Sequence, residues 1–487
     1  MLKRIGIPFM LLAALLLATA GCQSSQFGDG SETQAVSKVK TIHPATLTAI
    51  SQAAEGTPTP ERGEELAPED AAGETVFVWY AGSSAEEEAA LREISSRYNR
   101  ENPWDLTVEL VDPRLEVDPV AGLDLSALEK EPPSLILGGP ALLTEWEEHG
   151  NLTDLSRFLD DPGVGWNRRE REDFYQQMLD ALQKVDGKRL AVPLSQTIQV
   201  LYYNRSWGEE LGFQDPPETL EDMREQVCAA AEEYQQTHPQ APKGTGGLLL
   251  YPAAANITSW VSAYGGRLYV PKENAYRFVS TEMKNVAREW WLIQQRGCAY
   301  SYTQAPNPLL EEDEFADFNN REALLMMGAA ADYQQIHIPQ GEDGLPDGWS
   351  MLAVPGPGGE KAVTASYLAG MIPVTTREQE LAAWLFLDYL VSPQVQAEWS
   401  IAGGGYPTRE SVISLLEEHM RWHPHWAQGV ELLAYGHPEP LVYSWDFIRM
   451  VLGDAFAAML QGGYGEISLV LSELEETAVE LQAEGWE

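Results

Sequence analysis

Short apolar runs alternate with helical stripes of apolar residues along most of the chain. Residues 76–80 (Val-Phe-Val-Trp-Tyr) form a continuous apolar run typical of a buried strand, and a helical stripe that ends at Tyr98 follows them. Residues 106–111 and 135–137 predict two further strands, and a predicted helix over 142–149 follows the second. This strand–helix order predicts an α/β protein with a parallel sheet and crossover helices.

The same pattern continues to the end of the sequence. Residues 190–193 and 200–204 predict two strands that flank a short polar stretch. Further strands are expected near 323–327, 352–354 and 367–374, and helices over 219–235, 280–295, 378–390 and much of 411–487.

The residues before Val76 have a different composition. Lys3 and Arg4 precede an uncharged run that is shorter than the roughly 20 residues a bilayer requires, so a signal peptide is expected over 1–21. The ending Thr-Ala-Gly-Cys resembles a bacterial lipobox, which implies lipidation of Cys22; an ordinary signal peptide with an incidental cysteine is the alternative. Residues 22–74 are rich in Ser, Thr, Pro and Glu and predict a disordered tether.

Charge narrows the choice of partners. The chain has 74 acidic and 32 basic residues and a formal net charge of −42. Such a surface repels phosphate backbones and anionic lipid, so we expect no nucleic-acid partner and membrane contact only through the lipid on Cys22. The 15 Trp and 19 Tyr residues are numerous enough to serve both the core and a ligand site.

Signatures of common enzymes are missing from the sequence. It contains no GxSxG elbow, no GxxxxGK[ST] loop and no GxGxxG after a predicted strand. Carboxylate runs such as 86–88 are typical of solvated surfaces, which leaves a glycosidase pair as a minor alternative. His419, His423 and His425 could hold zinc, but we favour polar surface positions near a helix end.

Besides Cys22, the chain has two cysteines, at positions 228 and 298. An exported protein enters a compartment that permits disulfides. Two cysteines far apart in sequence do not establish proximity, so a bridge and two small buried side chains both stay open.

Seven short sequence motifs occur in a fixed order between about residues 75 and 415. The most specific is Leu-Ala-Val-Pro at 190–193 followed by Leu-Tyr-Tyr-Asn at 201–204; the others are 76–80, 134–155, 218–223, 318–326, 382–396 and 405–409. Together they resemble the extracellular solute-binding proteins of bacterial ABC importers, in the branch with maltose- and oligosaccharide-binding proteins. Ser134 and Leu135 stand where that family usually has Pro-Asp, and Leu220 where it has Trp.

The resemblance implies the two-lobed fold of periplasmic binding proteins (type II), with hinge crossovers between the lobes. On this basis we expect lobe 1 over 75–200 and 328–367, and lobe 2 over 201–327 and 368–487, with crossings near Tyr202, Met327 and Tyr367. Ligands of open α/β sheets bind outside the carboxyl ends of the strands, and hinged lobes close on them. The resemblance also implies a protein without catalytic activity or cofactor.

Candidate ligand contacts follow from the strand ends and crossovers. A sugar presents hydroxyls and an apolar C–H face, so its site combines polar side chains with stacked aromatics. Trp260 is expected to form a flat platform, and a purely structural role is the alternative for each residue. The candidates are Trp79, Tyr80, Ser83, Gly139, Gln196, Gln199, Trp260, Asp332, Tyr333, Ser366 and Tyr367.

These inferences favour a lipid-anchored, extracytoplasmic, monomeric receptor that captures a sugar or oligosaccharide and delivers it to an ABC permease. A receptor for another solute, such as a polyamine or metal chelate, is the alternative in the same fold. A phosphate ligand is disfavoured because no Lys or Arg stands at the expected cleft. An exported glycan hydrolase and a signalling or scaffold protein are alternatives of other classes.

Overall fold

The computed structural model describes residues 65–80, 85–111, 117–118, 122–123, 133–148, 152–182, 187–301, 315–338, 347–403 and 405–483. The strands are β1 Thr75–Tyr80, β2 Thr107–Val111, β3 Val117–Asp118, β4 Gly122–Leu123, β5 Leu135–Gly138, β6 Val192–Asn204, β7 Gly246–Leu250, β8 Tyr269–Val270, β9 Ala275–Tyr276, β10 Ala299–Ser301, β11 Ala323–Ala329, β12 Trp349–Leu352, β13 Val354–Pro355, β14 Lys361–Met371, β15 Tyr406–Pro407 and β16 Gly436–Pro438. The helices are α1 Ala85–Glu101, α2 Pro140–Glu148, α3 Ser156–Leu159, α4 Arg168–Glu172, α5 Gln176–Ala181, α6 Arg205–Glu210, α7 Leu220–Thr237, α8 Ala254–Ala263, α9 Thr281–Arg296, α10 Ala316–Asn319, α11 Arg377–Leu390, α12 Pro393–Gly403, α13 Glu417–Trp422, α14 Pro424–Leu432, α15 Trp445–Gln461 and α16 Ile467–Ala483.

Helix starts follow local capping chemistry. The hydroxyl of Thr219 accepts a hydrogen bond from the N–H of Asp222 at 3.1 Å, and the carboxylate of Asp222 accepts one from the N–H of Thr219 at 3.0 Å. This reciprocal pair satisfies backbone donors that the first turn of α7 leaves open. Ser280 and Thr376 cap α9 and α11 in the simpler one-bond form.

One twelve-stranded sheet organises the chain. Its main order is β10-β7-β11-β6-β14-β5-β1-β2, and β12, β13, β15 and β16 pair at the side of the long strands β6 and β14. Parallel pairing joins β1 to β2 and β5 at one end and β7 to β10 and β11 at the other. Helices cover these parallel strands, and the α/β class predicted from the sequence is confirmed.

The crossover strand β6 is longer than predicted. Two strands were expected around a polar stretch, but the backbone stays extended from Val192 to Asn204. The reason is pairing: Gln196 lies opposite Tyr367 of β14 on one side and Tyr406 of β15 on the other. Ladder hydrogen bonds on both edges keep polar residues extended where their side-chain pattern alone does not predict it.

Three apolar cores lie along this sheet. The first lobe is centred on β1, with Val78 and Trp384 among its buried residues, and the second on β7, with Leu248 and Trp290. A third core follows the crossovers, where Ile198 packs in a cluster that includes residues of both lobes and of α14. The crossovers are therefore buried elements and not exposed linkers.

The expected lobe boundaries need two corrections. Strand β12 pairs with the second-lobe half of β6, with Leu352 opposite Leu201, and Val354 and Ala362 lie in the second-lobe core, so residues 349–362 do not return to the first lobe. Helices α11 and α12 pack against β1 and α1 in the first-lobe core, so residues 372–403 do not belong to the second. Within the described residues after 403, α15 and α16 join the second lobe, and 405–438 covers the crossovers.

Cys228 and Cys298 form a disulfide, with their Cα atoms 4.2 Å apart. The bond connects α7 to the start of β10 inside the second lobe. Within the described residues, no helix combines the length and apolar character needed to cross a membrane. The predicted signal peptide, Cys22 and most of the predicted tether lie outside these residues.

Candidate functional site

The parallel strands of the two lobes end at one gap. Strand β14 is antiparallel to both β5 and β6, and β11 is antiparallel to β6. The carboxyl ends of β1 and β5 therefore point towards the second lobe, and those of β7 and β11 point back. The end of β5 is level with Pro193 of β6, and the end of β11 with Gln199. Six residues of extended strand separate these levels, or about 20 Å.

A cavity of about 100 Å³ opens at the second-lobe side of this gap, at the ends of β7 and β11. Neither Lys nor Arg is among the described residues that line it. Two of its lining residues, Gln199 and Asp332, were predicted from the sequence. Four further lining residues with polar or large apolar side chains were not predicted: Tyr251, Asn256, Phe315 and Met326.

Two unpaired amide oxygens belong to residues that line this cavity. Oε1 of Gln199 and Oδ1 of Asn256 are buried and have no hydrogen-bond partner. The Asn256 side chain is held in place because its Nδ2 donates to the carbonyl oxygen of Tyr251 at 3.0 Å. Asp332 adds a carboxylate that accepts a hydrogen bond from Nε2 of Gln335 at 3.2 Å. The cavity therefore offers acceptors to a ligand that carries O–H or N–H donors.

The two aromatic residues at the end of β1 have different environments, because consecutive strand residues point to opposite faces of a sheet. Trp79 faces the crossover core and lies edge-on to Trp146, with ring centroids 6.3 Å apart. Tyr80 faces the first-lobe core, where its hydroxyl donates to Glu87 at 2.7 Å. Trp79 thus belongs to the same apolar cluster as Phe315 and Met326 of the cavity, and Tyr80 does not.

Among the crossover candidates, the side chain of Gln196 is engaged in a hydrogen bond, whereas the hydroxyl of Tyr367 is not. Nε2 of Gln196 donates to the carbonyl oxygen of Pro407 at 2.8 Å, and Ser366 stands opposite Thr197 in the β6–β14 ladder. Tyr367 is buried; burial raises the pKa of its phenol, and its hydroxyl has no hydrogen-bond partner. Gly139 follows strand β5 and lies close to Tyr367, since a Cβ atom at Gly139 would stand 3.9 Å from the carbonyl oxygen of Tyr367.

The expectation of a Trp260 platform is wrong. This side chain is 1% exposed and packs edge-on against Trp290 in the second-lobe core, with ring centroids 5.9 Å apart. Nine of the ten residues of α8 are buried, so the helix has no solvent face on which a ring could lie. The residue of α8 that lines the cavity is Asn256, one turn earlier.

Tyr333 does not line the cavity among the described residues. Tyr333 is half-buried beside α13–α14, and its hydroxyl lies 3.4 Å from Nδ1 of His423. Ser83 lies outside the described residues. The histidines are stacked: His425 lies on Trp349 at 3.6 Å and His419 on His423 at 4.3 Å between ring centroids. The part of the chain that the structure describes contains no group of His, Cys, Asp or Glu side chains arranged to hold a metal.

The sequence profile of the bacterial extracellular solute-binding proteins matches residues 93–429, more than half of the chain. The chain belongs to this family. A search among curated proteins finds no significant match for this solute-binding protein. The family assignment therefore rests on the profile, and the arrangement of two lobes around a gap agrees with it.

Solved structures share the fold of this solute-binding protein. The cyclic α-maltosyl-1,6-maltose binding protein of Arthrobacter globiformis has a TM-score of 0.67 at 18% identity, with 84% of this chain and 98% of that chain covered. The sugar-binding protein MalE of Xanthomonas citri has a TM-score of 0.67 at 18% identity, covering 84% and 97%. UgpB of Mycobacterium tuberculosis, solved with glycerophosphocholine, has a TM-score of 0.62 at 16% identity, covering 84% and 98%.

Proposed function

We propose that this solute-binding protein is an extracytoplasmic receptor that binds a sugar or oligosaccharide between its lobes and delivers it to an ABC permease. Lipid on Cys22 anchors the receptor, and residues 23–74 hold the lobes clear of the membrane. The observation that carries the proposal is the pair of buried, unpaired amide oxygens of Gln199 and Asn256 in the cavity at the strand ends. Ligand hydroxyls satisfy such acceptors without any change in charge.

The chemistry of the lining supports a neutral polyol over charged ligands. A phosphate group requires Lys, Arg or a cluster of backbone donors, and the described lining contains neither basic residue. A polyamine requires several carboxylates, and Asp332 is the one carboxylate among the described lining residues. The apolar side chains of Phe315 and Met326 suit the C–H face of a sugar ring.

Catalysis finds less support at this cavity. Glycoside hydrolysis requires two carboxyl groups on opposite sides of the bond that is cleaved. Asp332 has no second carboxylate beside it among the described lining residues. The residues that line the cavity therefore fit ligand binding better than glycoside hydrolysis.

A thermal-shift screen of the purified mature chain tests the proposal. Malto-oligosaccharides, monosaccharides, glycerophosphodiesters and zinc are each added in large excess. A ligand at 100 times its dissociation constant adds about 2.7 kcal/mol to the free energy of unfolding, which raises the melting temperature by about a degree or more. A shift with one class of sugar supports the proposal, and a shift with glycerophosphodiesters or zinc alone rejects it.

A further inference from the structure

A second, larger cavity of about 830 Å³ lies on the second lobe, outside the cleft. Its walls come from the loop that precedes α7 and the first turns of α7, from the strand β12 and the start of β14, and from the end of α14 with Tyr435. No described residue lines both this cavity and the one at Gln199. We refer to it as the outer cavity.

Negative charge dominates the outer cavity. Five carboxylates line it, from Asp215, Glu218, Asp222, Glu225 and Glu431, against the single ammonium of Lys361. Asp222 is used in the capping box of α7, which offsets the positive end of that helix. Within the part of the chain that the structure describes, the other four carboxylates form no ion pair.

A buried amide oxygen is the second, independent feature. Gln226 lines the outer cavity and is 4% exposed, and its Oε1 has no hydrogen-bond partner. Its Nε2 donates to the carbonyl oxygen of Asp215 at 3.1 Å. That bond fixes the orientation of the amide, because the reverse orientation would bring two acceptor oxygens together. The wall of the outer cavity therefore contains a buried, unsatisfied acceptor beside the carboxylates.

The lining also has the apolar surface that an organic cation needs. Phe213, Leu352 and Tyr435 stand among the carboxylates, and an aromatic face attracts an alkylammonium group. A bare metal ion fits less well, because the described residues contain no cluster of His, Cys, Asp or Glu with the geometry of a metal site. Carboxylates spread over separate elements match a ligand whose charges are separated by methylene chains.

We propose that the outer cavity binds a linear polyamine, independently of the solute in the cleft. Ammonium groups of the polyamine pair with Glu225 of α7 and Glu431 of α14, and one of its N–H groups donates to Oε1 of Gln226. Its methylene chain lies on Phe213 and Tyr435. Because Glu225 and Glu431 stand on different elements, the bound polyamine connects α14, which packs on the crossovers, to the second lobe.

Isothermal titration calorimetry with spermidine tests this proposal on the mature chain at low ionic strength. The expected result is saturable binding that weakens about tenfold or more in the double variant Glu225→Gln/Glu431→Gln, because two charge-assisted contacts are lost. Gln226→Met is expected to weaken binding in the same direction. Circular dichroism of each variant confirms that it is folded.

Two matched controls distinguish binding in the outer cavity from nonspecific attraction to a negative surface and from binding in the cleft. Glu476→Gln/Glu480→Gln makes the same charge change at exposed positions of α16, and Asp332→Asn changes the cleft. The proposal requires that spermidine binding survive in both. Absence of saturable binding, equal weakening in the α16 control, or loss of binding in Asp332→Asn overturns it. The cleft proposal is unaffected by these results, since its test uses sugars.

Discussion

Gln199 and Asn256 bring their side-chain oxygens to one cavity from two different elements, the crossover strand β6 and the helix α8. Both oxygens are buried and unpaired. An unsatisfied buried acceptor costs about 1–3 kcal/mol, so a donor from a bound ligand recovers free energy at both positions. Gln199 lies on the strand that crosses between the lobes, so a ligand bound at Gln199 contacts this crossover strand directly.

Replacement of Trp260 by Ala is expected to destabilise the protein rather than to weaken ligand binding directly. Removing a buried Trp side chain leaves a cavity and costs about 3–5 kcal/mol. Denaturant unfolding measures this loss, and calorimetry on the folded variant at low temperature measures affinity. A variant of wild-type stability with weakened sugar binding would contradict this prediction and would indicate that Trp260 contacts the ligand.

Loss of the Cys228–Cys298 bond is expected to lower the free energy of unfolding by about 4 kcal/mol, since the bond closes a loop with a sequence separation of 70. The variant Cys228→Ser/Cys298→Ser tests this in thermal unfolding. Reduction of the wild-type protein by dithiothreitol should reproduce the lower melting temperature and leave the variant unchanged. Sugar affinity should stay the same, because neither cysteine lines the cleft cavity. An unaltered melting temperature in the variant would contradict the prediction.

Acidification is expected to destabilise the segment that covers the crossovers. Burial lowers the pKa of His425, and the positive charge of Arg205 lowers it further. Burial also lowers the pKa of His419, and the neighbouring His423 adds to this effect. The folded state then binds fewer protons than the unfolded state, so stability is present above the ordinary histidine pKa of about 6.5 and falls as the pH drops below it.

The variant His425→Phe checks this assignment. It retains an aromatic ring on Trp349 but has no proton to gain. Melting temperatures at pH 7.5 and pH 5.5 should therefore differ less in the variant than in the wild type. An equal difference in both proteins would assign the acid sensitivity to other groups.

Elements with strong local signals could be predicted from the sequence. The placement of elements that depends on contacts between distant residues could not. Helix α7 was predicted over 219–235 and spans Leu220–Thr237, and its start agrees within one residue because the capping chemistry of Thr219 is local. Lobe membership was wrong for residues 372–403, because it depends on contacts of α11 and α12 with β1 and α1, about 300 positions earlier. Local periodicity carries no information on such contacts.

The candidate site shows the same division. Gln199 and Asp332 were predicted to line the cleft because strand ends and crossovers can be located in the sequence, and the structure places both at one cavity. Asn256 was missed and Trp260 chosen instead, because small, polar and apolar residues are all buried in α8, so its sequence does not show which residue reaches the cavity. An amide side chain in a helix that is otherwise built from small and apolar residues and hydroxyls is a signal that could have found it.

The most direct test of the account compares sugar binding in Gln199→Ala and Asn256→Ala with that in the wild type, by calorimetry with the sugar that the screen identifies. Gln294→Ala is the matched control, since Oε1 of Gln294 is also buried and unpaired but lies away from the cleft, on α9. The account predicts an affinity about five- to tenfold lower in each cleft variant and unchanged in the control. Wild-type affinity in both cleft variants, with all proteins folded, would contradict the central claim.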